Sequence, residues 1–158
     1  MRGTLVCAVT EDAESADALA LSTELSERLG LRLVLAQAVD GMGGDGRESV
    51  TTQAGRQGAE RRLARLAEEH GVADRAERRV AVGEPAALLG QIAAEEAADM
   101  IVVGARHRGW RRRLESRLAD ALETETPVPV LIAPPRARRK RHDVAIAIGQ
   151  EDRANVAA

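Results

Sequence analysis

The chain has almost no aromatic side chains: Trp110 is the only one, and Phe and Tyr are absent. Proteins that bind single-stranded nucleic acid usually stack the bases on aromatic side chains, so this composition argues against that class. The net charge is also small, at −2, so no uniform basic field would attract nucleic acid. Arginines concentrate in residues 106–117 and 136–141, and we expect any attraction to anions to be local rather than directed at nucleic acid.

Cysteines, long apolar runs and clustered metal ligands are scarce as well. Cys7 is the single cysteine, and one thiol cannot form an intramolecular disulfide, so we expect a cytoplasmic protein. No apolar stretch approaches the ~20 residues that span a membrane, and no signal peptide follows Met1, so we expect no membrane association. The three histidines and the cysteine are too scattered to indicate a metal site.

What the chain does have is a regular alternation of short apolar runs and amphipathic segments. The apolar runs predict five strands, over residues 4–9, 31–39, 76–82, 99–103 and 130–132. Segments with apolar residues at helical spacing predict helices over 13–29, 49–69, 86–97 and 110–124. Alternating strands and helices form parallel sheets, because their crossovers are right-handed. The fold class is therefore α/β, with an open five-stranded parallel sheet and helices on both faces.

The most informative stretch covers residues 100–117, where an apolar strand ends at Gly104 and an arginine-rich loop leads to the next helix. Open α/β sheets usually bind ligands at such a place, because backbone N–H groups and a helix N-terminus point there together. The loop is interpreted either as an anion clamp or as a solvated basic loop. Arginines in the first turn of a helix are opposed by its dipole, which favours an anion, or Glu115, as an offset.

No catalytic group accompanies this loop. His107 has no serine, cysteine or carboxylate at a recognisable spacing, so it is interpreted as an exposed loop histidine. The chain has neither the glycine spacing of a phosphate-binding loop nor a His-x-Gly-His pair. We therefore expect no enzymatic activity, and a weak ATPase is the enzymatic alternative.

Four segments together resemble the universal stress protein family. They are residues 6–11, 80–86, 98–106 and 127–132. The resemblance implies a fold like that of the adenine nucleotide α-hydrolases, a role in stress adaptation, and a homodimer that pairs its final strands. We assign residues 1–134 to this domain and residues 135–158 to a basic linker with a strand-like tail.

The resemblance implies a sequence motif for nucleotide-binding members of that family. The motif is Gly-x-x-Gly, then nine residues, then Gly followed by Ser or Thr. Gly104 matches the first glycine, but His107 stands at the second, and the nearest glycine is Gly109. The later pair falls on Ser116 and Arg117 if one residue is deleted from the loop. Glycines at these positions let backbone N–H groups approach phosphate oxygens, and larger side chains remove that access.

The same members carry an aspartate at the end of the first strand, where this chain has Thr10. The resemblance thus implies a non-enzymatic regulatory or stress-adaptation protein with impaired or absent ATP binding, no cofactor, and an unidentified protein partner. The alternative is an adenine-nucleotide binder that holds ATP with Mg²⁺ through Gly104 and the arginine-rich loop. The candidate nucleotide- or anion-binding residues are Thr10, Ala38, Val103, Gly104, Arg106, His107, Gly109, Ser116 and Arg117.

The last predicted strand of the domain is apolar and would leave an exposed edge if it stayed unpaired. We expect homodimerisation through this strand. The predicted interface residues are Val128, Val130, Leu131 and Ile132. Residues 142–152 resemble a further strand and turn, and are interpreted as an extra edge strand, a strand exchanged with a dimer partner, or the remnant of a second repeat.

Overall fold

The computed structural model of the chain describes residues 2–41, 50–108, 113–135 and 145–147. The strands are β1 (Thr4–Ala8), β2 (Arg32–Val39), β3 (Ala76–Val82), β4 (Met100–Gly104), β5 (Arg106–Arg108), β6 (Arg113–Glu115), β7 (Val130–Ala133) and β8 (Ala145–Ala147). The helices are α1 (Glu14–Leu29), α2 (Val50–Glu69), α3 (Pro85–Glu95) and α4 (Arg117–Glu125).

The main sheet has the strand order β3-β2-β1-β4-β7-β8. The first five of these strands run parallel, and β8 pairs with β7 in the antiparallel direction. The predicted α/β fold with five parallel strands is confirmed, together with the extra C-terminal strand. The rest of the strand-like stretch predicted over residues 142–152 lies outside the described residues.

Helices cover both faces of the sheet and make two separate cores. Because side chains alternate along a strand, Leu5 and Cys7 of β1 face one core while Val6 and Ala8 face the other. The first core is completed by α1 and α2, and the second by α3 and α4. All five residues of β1 are buried, which explains why the sequence of this central strand is apolar from Leu5 onward rather than alternating.

Helix ends follow the local sequence. Gly30 ends α1 in the left-handed conformation, with φ 65°, which glycine adopts without the steric cost that a Cβ would add. At the start of α3, the Glu84 carboxylate accepts hydrogen bonds from the N–H groups of Ala86 (3.1 Å) and Ala87 (2.7 Å), and Pro85 occupies the first helical position. None of the helices in the described part of the chain has the length and apolarity that crossing a membrane requires.

The predicted helix over residues 110–124 is wrong in its first part. Leu114 lies in β6, and the helix begins only at Arg117. Leu118 and Leu122 do lie in α4. The helical spacing of Leu114 from them is a coincidence, because residues 113–115 pair with β5 before the helix begins. Consequently Arg113 is in a strand rather than in the first turn of a helix. The other predicted boundaries agree with the structure within two residues.

The four residues predicted for a dimer interface lie in or just before β7. Val128, Val130 and Ile132 pack with the core of α3 and α4, and Leu131 packs with the core of α1 and α2. Their apolar character is therefore explained by the two helical layers, whatever lies along the edge of the strand. The dimer itself stays a prediction.

Candidate functional site

The candidate site lies at the carboxyl end of the sheet, where β1 and β4 are neighbours. From β1 the chain continues outward to β2 on one side, and from β4 it continues to β7 on the other. This reversal is the point at which open α/β sheets form a ligand-binding crevice. Cys7 is paired with Val102, so continuing the register places Val9 level with Gly104. Ala8 is paired with Ala36, and the same continuation places Thr10 level with Ala38.

Four of the predicted site residues therefore lie close together at the carboxyl end of the sheet. They are Thr10, Ala38, Val103 and Gly104. Val103 is only 1% exposed, so its side chain belongs to the core, and only its backbone could contribute to a site.

Gly104 is held against the start of α1. A Cβ built on this residue would lie 2.4 Å from the carbonyl oxygen of Glu14 and 2.6 Å from the Cβ of Glu14. Both distances are far below van der Waals contact, and the carbonyl oxygen is backbone that cannot rotate away. The packing of strand against helix thus requires glycine here, independently of any ligand.

Thr10 takes part in a compact set of hydrogen bonds with Ser15 in the turn between β1 and α1. The Thr10 N–H donates to the Ser15 hydroxyl oxygen (2.7 Å), and that hydroxyl donates to the Thr10 carbonyl oxygen (3.0 Å). The hydroxyl oxygens of the two side chains are 3.1 Å apart. Asp12 donates its N–H to the Thr10 hydroxyl oxygen (3.3 Å). Ser15 is 4% exposed, so the turn is closed by its own side chains.

These contacts leave few free donors at the end of β1. The N–H of Thr10 and the N–H of Asp12 are both engaged by side chains of the turn, and Ser15 donates its N–H to the Asp12 carbonyl oxygen (3.2 Å). A phosphate-binding turn needs N–H groups that point outward and are free to meet the anion. In this turn, three such groups are already used.

The loop after β4 folds into a short antiparallel pair. Arg106 is opposite Glu115, His107 is opposite Leu114, and Arg108 is opposite Arg113. This pairing returns the chain to the end of β4 just before α4 begins. Gly109, another predicted site residue, lies outside the described residues.

Ser116 and Arg117 stand at the start of α4. The Ser116 hydroxyl oxygen accepts a hydrogen bond from the N–H of Ala119 (3.1 Å), so this serine is the N-cap of the helix. Arg117 is exposed at the first helical position, where its charge is opposed by the helix dipole, while Asp120 in the same turn is favoured by it. The arrangement gives a positive helix end beside the carboxyl edge of the sheet.

Cys7 does not contribute to this edge. It is fully buried in the core of α1 and α2, and burial raises the pKa of its thiol to about 12, although a hydrogen bond with Ser22 acts in the opposite direction. A thiol with such a pKa is an inert core group rather than a nucleophile. Among the described residues, no group of three or more His, Cys, Asp or Glu side chains could hold a metal ion.

Two polar residues of this end of the molecule were not predicted from the sequence. Ser15 closes the first turn, and its position just inside a helix start after a threonine is the signal that could have indicated it. Gln37 is 2% exposed in β2, and its Oε1 atom has no hydrogen-bond partner. The signal for Gln37 was a single amide inside an otherwise apolar run.

The sequence of this chain matches one known protein family. The universal stress protein family model matches residues 1–134. A comparison with curated proteins finds no match. Among solved structures, UspA from Lactobacillus plantarum is similar at a TM-score of 0.67 and 16% identity, covering 84% of this chain and 99% of that one.

Two further similar structures are complexes with nucleotides. A universal stress protein in complex with cAMP has a TM-score of 0.61 at 23% identity, covering 82% of this chain and 95% of that one. The universal stress protein from Archaeoglobus fulgidus in complex with dAMP has a TM-score of 0.59 at 19% identity, covering 82% of this chain and 96% of that one. At these identities the likeness establishes the shared fold.

Proposed function

Since the chain belongs to the universal stress protein family, we propose that it is a non-enzymatic regulatory or stress-adaptation protein in which ATP binding is impaired or absent. It would act by binding a protein partner or an anionic ligand, and it would need no cofactor. We further propose a cytoplasmic location, on the ground that its single cysteine is a buried thiol.

The observation that carries this proposal is the closed turn between β1 and α1. Thr10 stands where the nucleotide-binding pattern has an aspartate, and its N–H and carbonyl groups are both satisfied by Ser15. A nucleoside that bonded to these backbone groups would first have to break those part-buried hydrogen bonds, at a cost of about 1 kcal/mol each. Gly104 adds to this, because close packing on Glu14 accounts for the glycine without a phosphate.

The second candidate function is binding of an adenine nucleotide. It is favoured by the positive N-terminus of α4, with Arg117 exposed beside the switch point between β1 and β4. It is favoured also by the two similar structures whose descriptions name cAMP and dAMP. In this chain the nucleotide would be held through Gly104 and the arginine-rich loop, with Mg²⁺ accompanying ATP.

Thermal unfolding with added ligands separates the two functions, and it is the first test we propose. Under the first proposal, magnesium ATP at about 1 mM leaves the Tm unchanged, or shifts it no more than inorganic tripolyphosphate at the same concentration does. A binder with a Kd of about 10 µM would be stabilised by about 2.7 kcal/mol at that concentration. In a chain of this size that corresponds to a rise in Tm of roughly 5–11 °C.

The tripolyphosphate sample is the control for simple anion binding by the arginines. A shift produced by both compounds would support an anionic ligand and leave the first proposal standing. A shift produced by magnesium ATP and not by tripolyphosphate would contradict it, because the nucleoside would then be recognised. In that case Arg117→Ala should reduce the shift.

The homodimer is also part of the proposal, with β7 as its interface strand. It rests on the pairing of final strands that the family resemblance implies and on the place of β7 at the end of the parallel part of the sheet. In the structure, however, β8 of the same chain is paired with that edge. Dimerisation through β7 therefore requires β8 to leave the edge or to be exchanged between copies.

A further inference from the structure

The edge of β7 carries a strand supplied by the same chain. β8 pairs with it in the antiparallel direction, with Val130 opposite Ala147, Leu131 opposite Ile146 and Ile132 opposite Ala145. An open strand edge presents unpaired N–H and C=O groups that attract another strand. In this molecule those groups are occupied by the chain's own tail.

The direction of this pairing matters. When two identical chains are related by a two-fold axis, a strand that meets its own copy does so in the antiparallel direction. β8 therefore uses the same edge, in the same direction, as β7 of a second copy would use. The two pairings exclude each other, because one edge can hold only one neighbouring strand.

β8 of the same chain and β7 of a second copy differ in how strongly they compete for this edge. β8 is three residues long, at the short end of the usual range for strands, so few backbone hydrogen bonds hold it to β7. It belongs, however, to the same chain as β7 and follows it closely in sequence, and a segment joined to its partner over a short distance has an effective concentration of the order of millimolar. A second copy at micromolar concentration would be outcompeted while β8 stays docked.

We propose that β8 is a tethered competitor that controls dimerisation. With β8 on β7 the chain is a monomer, and release of β8 opens the edge to β7 of a second copy. This inference rests on the homodimer proposed above and adds to it a means of control. The partner that fits the edge is a second copy of this chain.

The test is a proline placed in β8 of the full chain. Ile146→Pro fixes φ, removes a backbone N–H and places a ring in the middle of this three-residue strand, which should weaken its pairing with β7. Sedimentation velocity over a range of protein concentrations should then show dimerisation at least tenfold tighter than in the unaltered chain. The matched control is Ala154→Pro, a proline in the same tail seven residues after β8 ends, which should leave the monomer unchanged.

Three results would overturn the proposal. If the unaltered chain is a dimer and Ile146→Pro makes it a monomer, β8 is exchanged between copies rather than competing with them. If both are dimers of equal affinity, the homodimer stands but β8 does not control it. If both stay monomeric at all concentrations, the homodimer fails as well.

A synthetic peptide of residues 142–152 tests whether β8 and a second copy use the same edge of β7. Added in excess to the Ile146→Pro chain, it should return the dimer to monomer, because it supplies the missing strand from outside. A dimer that persists against millimolar peptide would contradict β7 as the common edge.

Discussion

The two ends of the parallel sheet are stabilised in different ways. At the amino end, charged side chains from β2, β3 and the end of α3 form a connected set of ion pairs. At the carboxyl end, where the strand order reverses beside β1 and β4, close contacts are made by small residues: Thr10, Ser15 and Gly104. One end is fixed by charge, and the other by hydroxyl groups and backbone proximity.

The amino-end set is centred on Glu96, whose side chain is 13% exposed. Arg32 hydrogen-bonds Glu96 and also reaches Glu77 at 2.7 Å. Arg79 donates to Glu96 at 2.5 Å and to Glu95 at 2.6 Å. Burial alone would raise the pKa of Glu96, but the hydrogen bonds from the two arginines outweigh it and hold that pKa below its usual value.

The contrast indicates where a ligand can act. Arg32 and Arg79 of the amino-end set are already matched by carboxylates, so an added anion would have to displace those carboxylates. At the carboxyl end, Arg117 stands exposed at a helix N-terminus, and the nearby turn is closed by neutral groups. The exposed positive charge of Arg117 therefore lies at the carboxyl end, where the proposed ligand would bind.

The largest effect that we expect comes from the carboxyl end, with Gly104→Ala. The added methyl group would meet the Glu14 backbone at 2.4 Å, so strand and helix must separate, at a cost of about 3 kcal/mol. Urea unfolding should show this loss. The control is Gly58→Ala in α2, where nothing lies within 4 Å of the added carbon. That change should stabilise by about 0.5–1 kcal/mol. Equal effects of the two substitutions would contradict the close packing.

The second prediction concerns charge at the amino end, with Glu96→Gln. At pH 7 this change should destabilise by about 1–2 kcal/mol, because the hydrogen bonds from Arg32 and Arg79 lose their charged acceptor. A carboxylate whose pKa is lowered by folding stabilises above its unfolded pKa of about 4.3, and that contribution is lost as the pH falls through the folded value. The difference between variant and unaltered chain should therefore be smaller at pH 3 than at pH 7.

The control for this prediction is Glu24→Gln. Glu24 pairs with Arg28 on the exposed surface of α1 at 3.0 Å, and such pairs contribute about 0.3–0.5 kcal/mol. Urea unfolding of both variants at the two pH values provides the measurement. If Glu96→Gln lost no more stability at pH 7 than Glu24→Gln, the ion pairs of the amino end would contribute no more to the free energy of unfolding than an exposed surface pair.

The smallest effect concerns Ala97, also at the amino end. It follows Glu96 and has a φ of 48°, the left-handed conformation that costs an L-residue about 1–2 kcal/mol. Ala97→Gly should stabilise by about 0.5–1 kcal/mol, since glycine's greater freedom in the unfolded chain offsets part of the gain. Ala94→Gly, within α3, should instead destabilise by a similar amount. Thermal unfolding of the two variants would show opposite shifts in Tm, and shifts of the same sign would contradict the strain at Ala97.

Much of the fold could be predicted because its signals are local. The apolar runs of β1 and β4 gave those strands, and Gly30 and Pro85 marked helix ends that the structure shows. The start of α4 could not be placed in this way, because Leu114 continues a helical spacing while its backbone pairs with His107. The two residues are only seven positions apart, and a hairpin of this size leaves the apolar spacing of a helix unchanged, so periodicity does not report it.

The sequence predicted where the candidate site lies, but not the contacts that its residues make. Gly104 was singled out from its position at the end of a strand, yet the contact with Glu14 that accounts for it joins residues ninety positions apart. Ser15 was overlooked, because its position just inside a helix start is a weak signal, and only the structure shows that it satisfies both backbone groups of Thr10. The binding roles of the candidate residues stay predictions that the ligand experiments test.

The sequence by itself determined the alternation of strands and helices, the family to which the chain belongs, and the departures from the nucleotide-binding pattern at Thr10, His107 and Arg117. These follow from residue identity and short-range periodicity, which act along the chain. Only the tertiary structure decided that the turn at Thr10 is closed by Ser15, that Glu96 joins two arginines, and that β8 covers β7. Each of these depends on which distant segments the packed cores bring together, and no local pattern encodes that juxtaposition.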